Sequence, residues 1–445
     1  MPLADRIFGW LVPIVVLACW SSMSIGQEPA SKDQEPTTLS LPASGDTTGQ
    51  TADTPPGSTE AAALESVEIP PELLQARREA KDEFLKLRGQ LAVAMGEMRA
   101  TFIRYQNDED RSPEAQERYR QQRNATRKIM NEMFDAALNV IRFGSDDEAA
   151  TYLATMIEHR YNKDYYDATM MEAGARLIDG SVRLAYIFPA TARSAVVSGD
   201  FELAKQLYDA LDEETLPDID KAILHTMGSL QEQWEKEQEL QKQDGEAENP
   251  LVSMMTTRGE VTIELFINSA PSTVANFIQL VEKGYYDGLD FYQVIDHLLA
   301  LTGDESGSGT GTSGKFLLDE HERENARMPL AGSLVMAKQP TSVQGQFVPN
   351  SASAQFAILY LPIAAISDQQ TVFGRVIEGM DAISELRRVD PSKEKKKNEI
   401  LLPPDRILEM KVIRRPEKLP EIQYFDAQTP AHDHDHDHDH APVAP

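Results

Sequence analysis

The chain has 445 residues, with 43 Lys+Arg against 72 Asp+Glu and a formal net charge of −29 at pH 7. A balance this acidic argues against nucleic acid as a partner, because neutralising phosphates needs a net basic face. The single Cys excludes a disulfide scaffold and a Cys-built structural zinc site. The length asks for two or three domains at roughly 100–200 residues each.

The opening segment, residues 1–26, reads as an export signal. Ile7 to Trp20 is apolar apart from Gly9 and Pro13, follows Arg6, and is too short to span a bilayer comfortably. Two processing readings stay open. Ser24-Ile25-Gly26 before Gln27 fits a small-x-small cleavage site. Val16-Leu17-Ala18-Cys19 is similar to a lipoprotein box, with the signal ending at 18 and a lipid anchor on Cys19. Either reading places the protein outside a bacterial-type cytoplasm, in the periplasm or cell envelope. Residues 27–69 are Pro, Thr, Ser, Gly, Ala and acidic residues, too poor in large apolar side chains to offset ordering entropy, and are expected to form a disordered tether.

Residues 70–243 read as an all-α domain. Phe84, Leu87, Leu91, Met95, Met98, Phe102 and Tyr105 recur every three or four residues and share one helix face. Ser112-Pro113 supplies an N-cap and a first-turn proline for the next helix, whose stripe is Ile129, Met130, Met133, Phe134, Ala137, Leu138 and Ile141, with Gly144 as its stop. Ser145-Asp146-Asp147-Glu148 reads as a capping box. Gly199-Asp200-Phe201, followed by Ala204, Tyr208 and Leu211, looks like the turn and second helix of a tetratricopeptide repeat, though no clean 34-residue recurrence accompanies it. Ile219, Ile223, Met227, Leu230 and Trp234 mark a last helix before a linker at 244–250.

After Pro250 the period changes. Val261, Ile263 and Leu265 alternate with Thr262 and Glu264, a strand pattern, and further β-like runs lie at 333–337, 355–360, 371–376 and 408–413. Helices are expected at 273–282 and 381–387. The pattern suggests a compact β-barrel with two helices.

Several strings within this region stand in a familiar order: Arg258-Gly259-Glu260-Val261, Ala270-Pro271-Ser272-Thr273-Val274-Ala275-Asn276-Phe277, Gly284-Tyr285-Tyr286-Asp287-Gly288, Gly303-Asp304, Ser333-Leu334-Val335-Met336-Ala337, Ala354-Gln355-Phe356 and Thr371-Val372-Phe373-Gly374. Together they resemble the cyclophilin-type peptidyl-prolyl cis-trans isomerases over Leu251 to Arg415. The resemblance implies a closed eight-stranded β-barrel with two helices, no cofactor, and proline-containing polypeptides of the cell envelope as partners. It implies rotation about an X–Pro amide, whose barrier of roughly 18–20 kcal/mol comes from C–N double-bond character. In the family an Arg after Phe-His addresses the prolyl nitrogen. Here the string is Phe291-Tyr292-Gln293, so Gln293 takes the Arg position and the charged donor is gone.

The other implied site positions depart as well. The pocket Phe and Met become Leu298 and Leu299, a Gln becomes Leu301, an Asn becomes Lys338, a Phe becomes Ala357, and a Trp and a His become Ala365 and Gln370. Ala337 and Gln355 survive, and Ile366 replaces a pocket Leu. Gln293 and Gln355 are therefore the expected catalytic positions, with Leu298, Leu299, Ala337 and Ile366 binding substrate. Two functions fit: a weak or silent isomerase, or a non-catalytic scaffold that binds proline peptides or proteins, with the helical domain recruiting a protein partner.

Other signals point less far. Gly309-Thr310-Gly311-Thr312-Ser313-Gly314-Lys315 is similar to a P-loop but lacks the following Ser/Thr and a βαβ context. Lys393, Lys395, Lys396 and Lys397 read as a solvated insertion, and His297 and His321 as structural or exposed. Residues 416–445 are expected to be a disordered tail. There His432, His434, His436, His438 and His440 alternate with Asp residues, and imidazole with carboxylate suits a divalent metal such as Zn²⁺, Ni²⁺ or Cu²⁺ without a fixed geometry.

Overall fold

A computed structural model of the chain describes residues 71–244, 249–343, 345–390 and 403–425. The export segment with Cys19, the tether, the Lys393–Lys397 run and the five tail histidines lie outside the described residues. Among the described residues, no helix is long and apolar enough to cross a membrane.

The first half is helical: α1 (Pro71–Gln106), α2 (Pro113–Arg142), α3 (Asp147–Asn162), α4 (Ala168–Asp179), α5 (Ile187–Ser198), α6 (Phe201–Asp209) and α7 (Asp218–Asp244). Phe84, Leu87, Leu91 and Tyr105 of the expected α1 stripe are buried, and Met95 packs against the same core. Ser112 caps α2 by accepting from the Ala115 N–H, with Pro113 at the first turn. The cap of α3 lies one residue later than expected, at Asp146. Its carboxylate takes the Ala149 N–H and also faces Lys81 Nζ at 2.8 Å, so it both caps α3 and ties it to α1. The turn before α6 has the expected form. Gly199 ends α5 at φ +82, and a Cβ there would lie 2.3 Å from the Trp234 ring, so only glycine fits. The repeat reading goes no further. The seven helices run 36, 30, 16, 12, 12, 9 and 27 residues, which no unit of fixed period produces.

The second half is an antiparallel eight-stranded sheet in the order β3-β4-β6-β5-β7-β2-β1-β8. Its strands are β1 (Leu251–Thr256), β2 (Glu260–Leu265), β3 (Gln293–Ile295), β4 (Leu299–Thr302), β5 (Ser333–Met336), β6 (Phe356–Leu359), β7 (Val372–Glu378) and β8 (Ile407–Arg414), with α8 (Pro271–Glu282) and the short α9 (Met380–Ser384). The edges meet where Asp290 bridges Arg406, with the Phe291 N–H on the Asp405 carbonyl and the Ile407 N–H on the Leu289 carbonyl, which curls the sheet into a barrel. Alternation puts Val252, Val261, Ile263, Ala300, Leu334, Phe356 and Phe373 inside around Phe277 of α8. The Phe277 ring lies 5.1–5.5 Å from Phe373, Tyr286 and Phe356.

Three segments were not legible as strands: β1, the three-residue β3, and β4, whose Leu-Ala-Leu-Thr carries no alternation. The expected helix at 381–387 is only five residues long and starts at Met380. The chain also stays on the barrel past Arg415. Leu419, Ile422 and Tyr424 pack against its core, Leu317 bridges Tyr424, and the Phe425 N–H reaches the Phe316 carbonyl, so the free tail expected from 416 does not begin there.

Buried polar contacts join the two halves. Arg327, on the barrel, donates to Glu237 of α7 at 3.0 Å and also reaches Asp244, so α7 runs through the first expected linker residue. Glu385 meets His159 at 3.1 Å and Lys163 at 3.3 Å. Arg127 of α2 donates to Asp381 at 2.8 Å and to the Arg258 carbonyl at 2.6 Å. Leu361 of the barrel belongs to the helical core. Asp164, at the end of α3, faces His297 and Arg388 of the barrel.

Deep in the helical core, Arg193 and Asp220 pair with both side chains at 0% exposure. Removing one partner strands a buried charge. Asp220→Ala is expected to cost about 3–5 kcal/mol in urea unfolding, whereas Arg142→Ala, which breaks an exposed pair with Glu172, should cost about 1 kcal/mol or less.

Acid should loosen the interface. Burial pushes the Glu385 carboxyl up, but the His159 hydrogen bond and the Lys163 charge outweigh it and hold the group well below its usual range. For Asp164, burial is likewise overcome by His297 and Arg388. Groups with depressed folded pKa values stabilise the fold above their unfolded pKa and lose that contribution as pH falls toward the folded value. The urea midpoint is therefore expected to fall steadily below about pH 4.5, with a shallower slope in Asp164→Asn.

Candidate functional site

The outer face of the barrel carries a cross-strand row set by register. Gln293 pairs with Leu301, Leu301 with Ala357, Ala357 with Val335, and Val335 with Val372. Paired residues share a sheet face, so these side chains lie side by side. Leu299, opposite Ile295 on one side and Leu359 on the other, continues the patch one step along. Phe266, Val335, Ala357, Leu359 and Val372 form its buried floor, with Leu299, Leu301, Ile363 and Ile366 partly exposed against it. Arg327 lies over the Phe266 ring at 3.8 Å, which brings the α7-anchored guanidinium to the border of the patch.

The fold thus brings together Gln293, Leu299 and Ile366 from the expected site. Ala337 and Gln355 lie just past the β5–β6 pairs, the Ala337 N–H bonded to the Gln355 carbonyl at 3.0 Å. Leu298 does not join them. It sits in the β3–β4 turn and is not part of the apolar patch.

The polar edge of the site is largely committed. Gln355 Nε2 donates to the Gly311 carbonyl at 2.6 Å and the Gly309 carbonyl at 3.3 Å, and its Oε1 accepts from the Tyr292 hydroxyl. Both ends of its carboxamide therefore hold the glycine-rich loop, and Gln355 acts here as a brace. Tyr292, which sequence reasoning treated only as part of a string, is the residue that locks it. Burial pushes the Tyr292 hydroxyl up, so it stays a neutral donor at ordinary pH. Lys338 is also turned away, its Nζ donating to Asp319 at 2.6 Å and to the Gln369 carbonyl at 2.8 Å. Gln293 is different: its carboxamide makes no hydrogen bond among the described residues, and the row around it contains no cation.

The glycine-rich loop carries its own anion. Asp304 accepts from the Gly309 N–H at 2.6 Å, the Gly311 N–H at 3.2 Å, and the N–H and hydroxyl of Ser306, both at 2.8 Å. Burial raises this carboxyl, and the Ser306 hydroxyl with the three backbone N–H groups more than offsets it, leaving a net depression. A phosphate has no place in a concavity already filled by a carboxylate. Gly303 (φ +91) lets the chain enter the loop, since a Cβ there would lie 2.5 Å from the Ala354 carbonyl oxygen. Among the described residues, no group of three or more His, Cys, Asp or Glu side chains is placed to hold a metal ion.

Comparison with known proteins places this barrel. A family model described as cyclophilin type peptidyl-prolyl cis-trans isomerase/CLD matches residues 251–412. The peptidyl-prolyl cis-trans isomerase cypE of Dictyostelium discoideum is 33% identical over 152 residues, 34% of this chain and 92% of that protein. The peptidyl-prolyl cis-trans isomerase-like 1 protein of Neurospora crassa is 33% identical over 145 residues, 32% of this chain and 84% of its own length. A peptidyl-prolyl cis-trans isomerase-like 2 protein of Gibberella zeae is 36% identical over 142 residues, but the chain spans only 22% of it. A crystal structure of a Cryptosporidium parvum cyclophilin type isomerase, in the presence of the dipeptide Ala-Pro, matches with 24% identity and a TM-score of 0.31, over 37% of this chain and 99% of that one. Through its C-terminal barrel, the chain belongs to the cyclophilin-type peptidyl-prolyl cis-trans isomerase family.

Proposed function

We propose that the chain is an exported protein whose barrel binds proline-containing segments of envelope polypeptides on the β3–β4–β6–β5 face, with weak or no turnover. The observation that carries this reading is the Gln293 row, an apolar surface edged by one unengaged neutral carboxamide. A proline ring suits the aliphatic patch of Leu299, Leu301 and Ile366. The Gln293 N–H groups are free to donate to a twisted amide, but without charge. Charge assistance roughly doubles hydrogen-bond strength, and forfeiting on the order of 2–4 kcal/mol of transition-state stabilisation slows a step roughly 30- to 1,000-fold.

Export rests on the apolar segment from Ile7 to Trp20 after Arg6, and the envelope as the setting follows from it. The same geometry supports the non-catalytic scaffold, because Gln355 and Lys338 are both withdrawn from the groove.

The two readings separate in one assay on the full chain, with an Ala-Pro peptide and the uncatalysed rate at the same temperature as blank. The unmodified chain is expected to bind the peptide, seen as chemical-shift changes at Leu299 and Leu301, and to accelerate isomerisation feebly or not at all. Gln293→Arg is expected to raise kcat/KM by roughly tenfold or more, with affinity little changed. Strong acceleration by the unmodified chain that survives Gln293→Ala would overturn the reading. Absence of any peptide binding would remove both forms of it.

A further inference from the structure

We propose that the helical domain sets the geometry of the proline groove through a clamp on the β3–β4 turn, in which Asp164 and His297 are positioning residues. The inference rests on the groove reading above and adds how that groove is controlled.

The turn Asp296-His297-Leu298 joins the last residue of β3, Ile295, to the first of β4, Leu299. Ile295 and Leu299 are paired across the hairpin, and Gln293 and Leu301 are the next outward-facing pair. Any displacement of the turn therefore reaches the groove within one or two residues. His297 is held at φ +66, a left-handed conformation rare for a residue with a full side chain. Such a conformation persists only where its surroundings over-determine it, and the surroundings that do so belong to the other domain.

Asp164 grips His297 twice. Its Oδ2 accepts from the His297 backbone N–H at 2.9 Å, and its Oδ1 lies 2.5 Å from His297 Nδ1. The same Nδ1 lies 3.2 Å from Arg193 Nη1, so the imidazole is held between the Asp164 carboxylate and a guanidinium of the helical core. Arg388 completes the grip, with Nη2 on Asp164 and Nε on Asp296, both at 2.9 Å, so one guanidinium ties the residue before His297 to the carboxylate that holds His297 itself.

Asp164 is itself anchored in the helical core. It is 1% exposed, sits at φ +57 after α3, and accepts from the Tyr166 hydroxyl at 3.2 Å. Tyr166 in turn takes a hydrogen bond from Arg193 at 3.0 Å, and Arg193 holds Asp220 at 2.7 Å. The buried network runs without a break from α7 through α5 to the edge of the groove. Its arrangement explains why a histidine stands where glycine or asparagine is the usual tenant: the imidazole supplies a second contact to a carboxylate that the barrel alone does not possess.

The test uses the full chain and three variants. His297→Gly keeps the left-handed turn and deletes the imidazole. His297→Asn tolerates the same φ and offers a side-chain N–H to Asp164. Asp164→Asn keeps the shape but removes the charge. Methyl NMR of Leu299, Leu301 and Ile366 reports groove geometry, with Ile278 in the barrel core as control, and titration with an Ala-Pro peptide reports affinity.

His297→Gly and Asp164→Asn are expected to shift the three groove methyls, leave Ile278 in place, and weaken peptide binding about tenfold, as losing one buried hydrogen bond does. His297→Asn is expected to restore most of the shift and the affinity. Unchanged groove methyls in folded His297→Gly would overturn the clamp, and so would a shift that His297→Asn does not reverse. If Asp164→Asn fails to fold, the His297 pair decides alone. If the unmodified chain binds no peptide, the proline reading fails while the methyl comparison still judges the clamp.

Discussion

A carboxylate buried between two domains is the constraint on which this molecule depends. Asp164 is almost without solvent, and a bare charge in that position would cost several kcal/mol. It is tolerated because His297, Arg388 and Tyr166 surround it with donors, two of them from the barrel and one from the helical domain. Neither domain supplies the full set. Separating the halves would leave Asp164 unpaired on one side and a strained His297 unsupported on the other. The same logic repeats at Glu385, which belongs to the barrel and finds His159 on α3 and the Lys163 charge just after it, and at Arg327, which finds its anions on α7. Three buried charges are thus partnered across the boundary, one carried by the helical domain and two by the barrel.

The helical stripes and the barrel motifs were readable because they follow from period and order. Phe84, Leu87 and Leu91 recur at helical spacing, and Val261, Ile263 and Leu265 alternate, so packing has only one face to use. Where local signal is short the reading failed. A three-residue β3 owes its form to pairing with β4 and not to propensity, and β4 reads equally well as helix. Asp146 outcompeted Ser145 as the α3 cap because Lys81, distant in sequence, stabilises the carboxylate there. The chain past Arg415 looked like tail because the apolar residues that hold it, Leu419, Ile422 and Tyr424, are sparse and find partners only in three dimensions.

The candidate site was legible in membership and illegible in function. Sequence order brought Gln293, Leu299, Ala337, Gln355 and Ile366 into view, and register puts them on or beside one face. What no order of residues discloses is where each hydrogen bond goes. Gln355 looked like a retained donor, but Tyr292 and the loop carbonyls of Gly309 and Gly311 consume it. Lys338 was visible only as a replacement for an Asn, and nothing in its position announces that Asp319 and the Gln369 carbonyl take its ammonium. His297 looked like an isolated turn histidine, because its partner lies 133 positions earlier, in the other domain.

These commitments share a direction. Polar groups around the patch are engaged with the protein itself: Gln355 with the glycine-rich loop, Lys338 with Asp319, and the turn before Leu299 with Asp164. A polar group satisfied internally costs nothing to leave in place and offers little to a ligand, since a new partner must first displace the old one. Open to recognition are the aliphatic patch and the carboxamide of Gln293, which makes no hydrogen bond among the described residues. Aliphatic contact discriminates shape more than it stabilises developing charge. On the function proposed above, such a surface would favour holding a proline in a ground-state isomer over easing the rotation between isomers. On the same proposal, the helical domain, joined to the barrel through α7 and Asp164, contributes by fixing the shape of that surface.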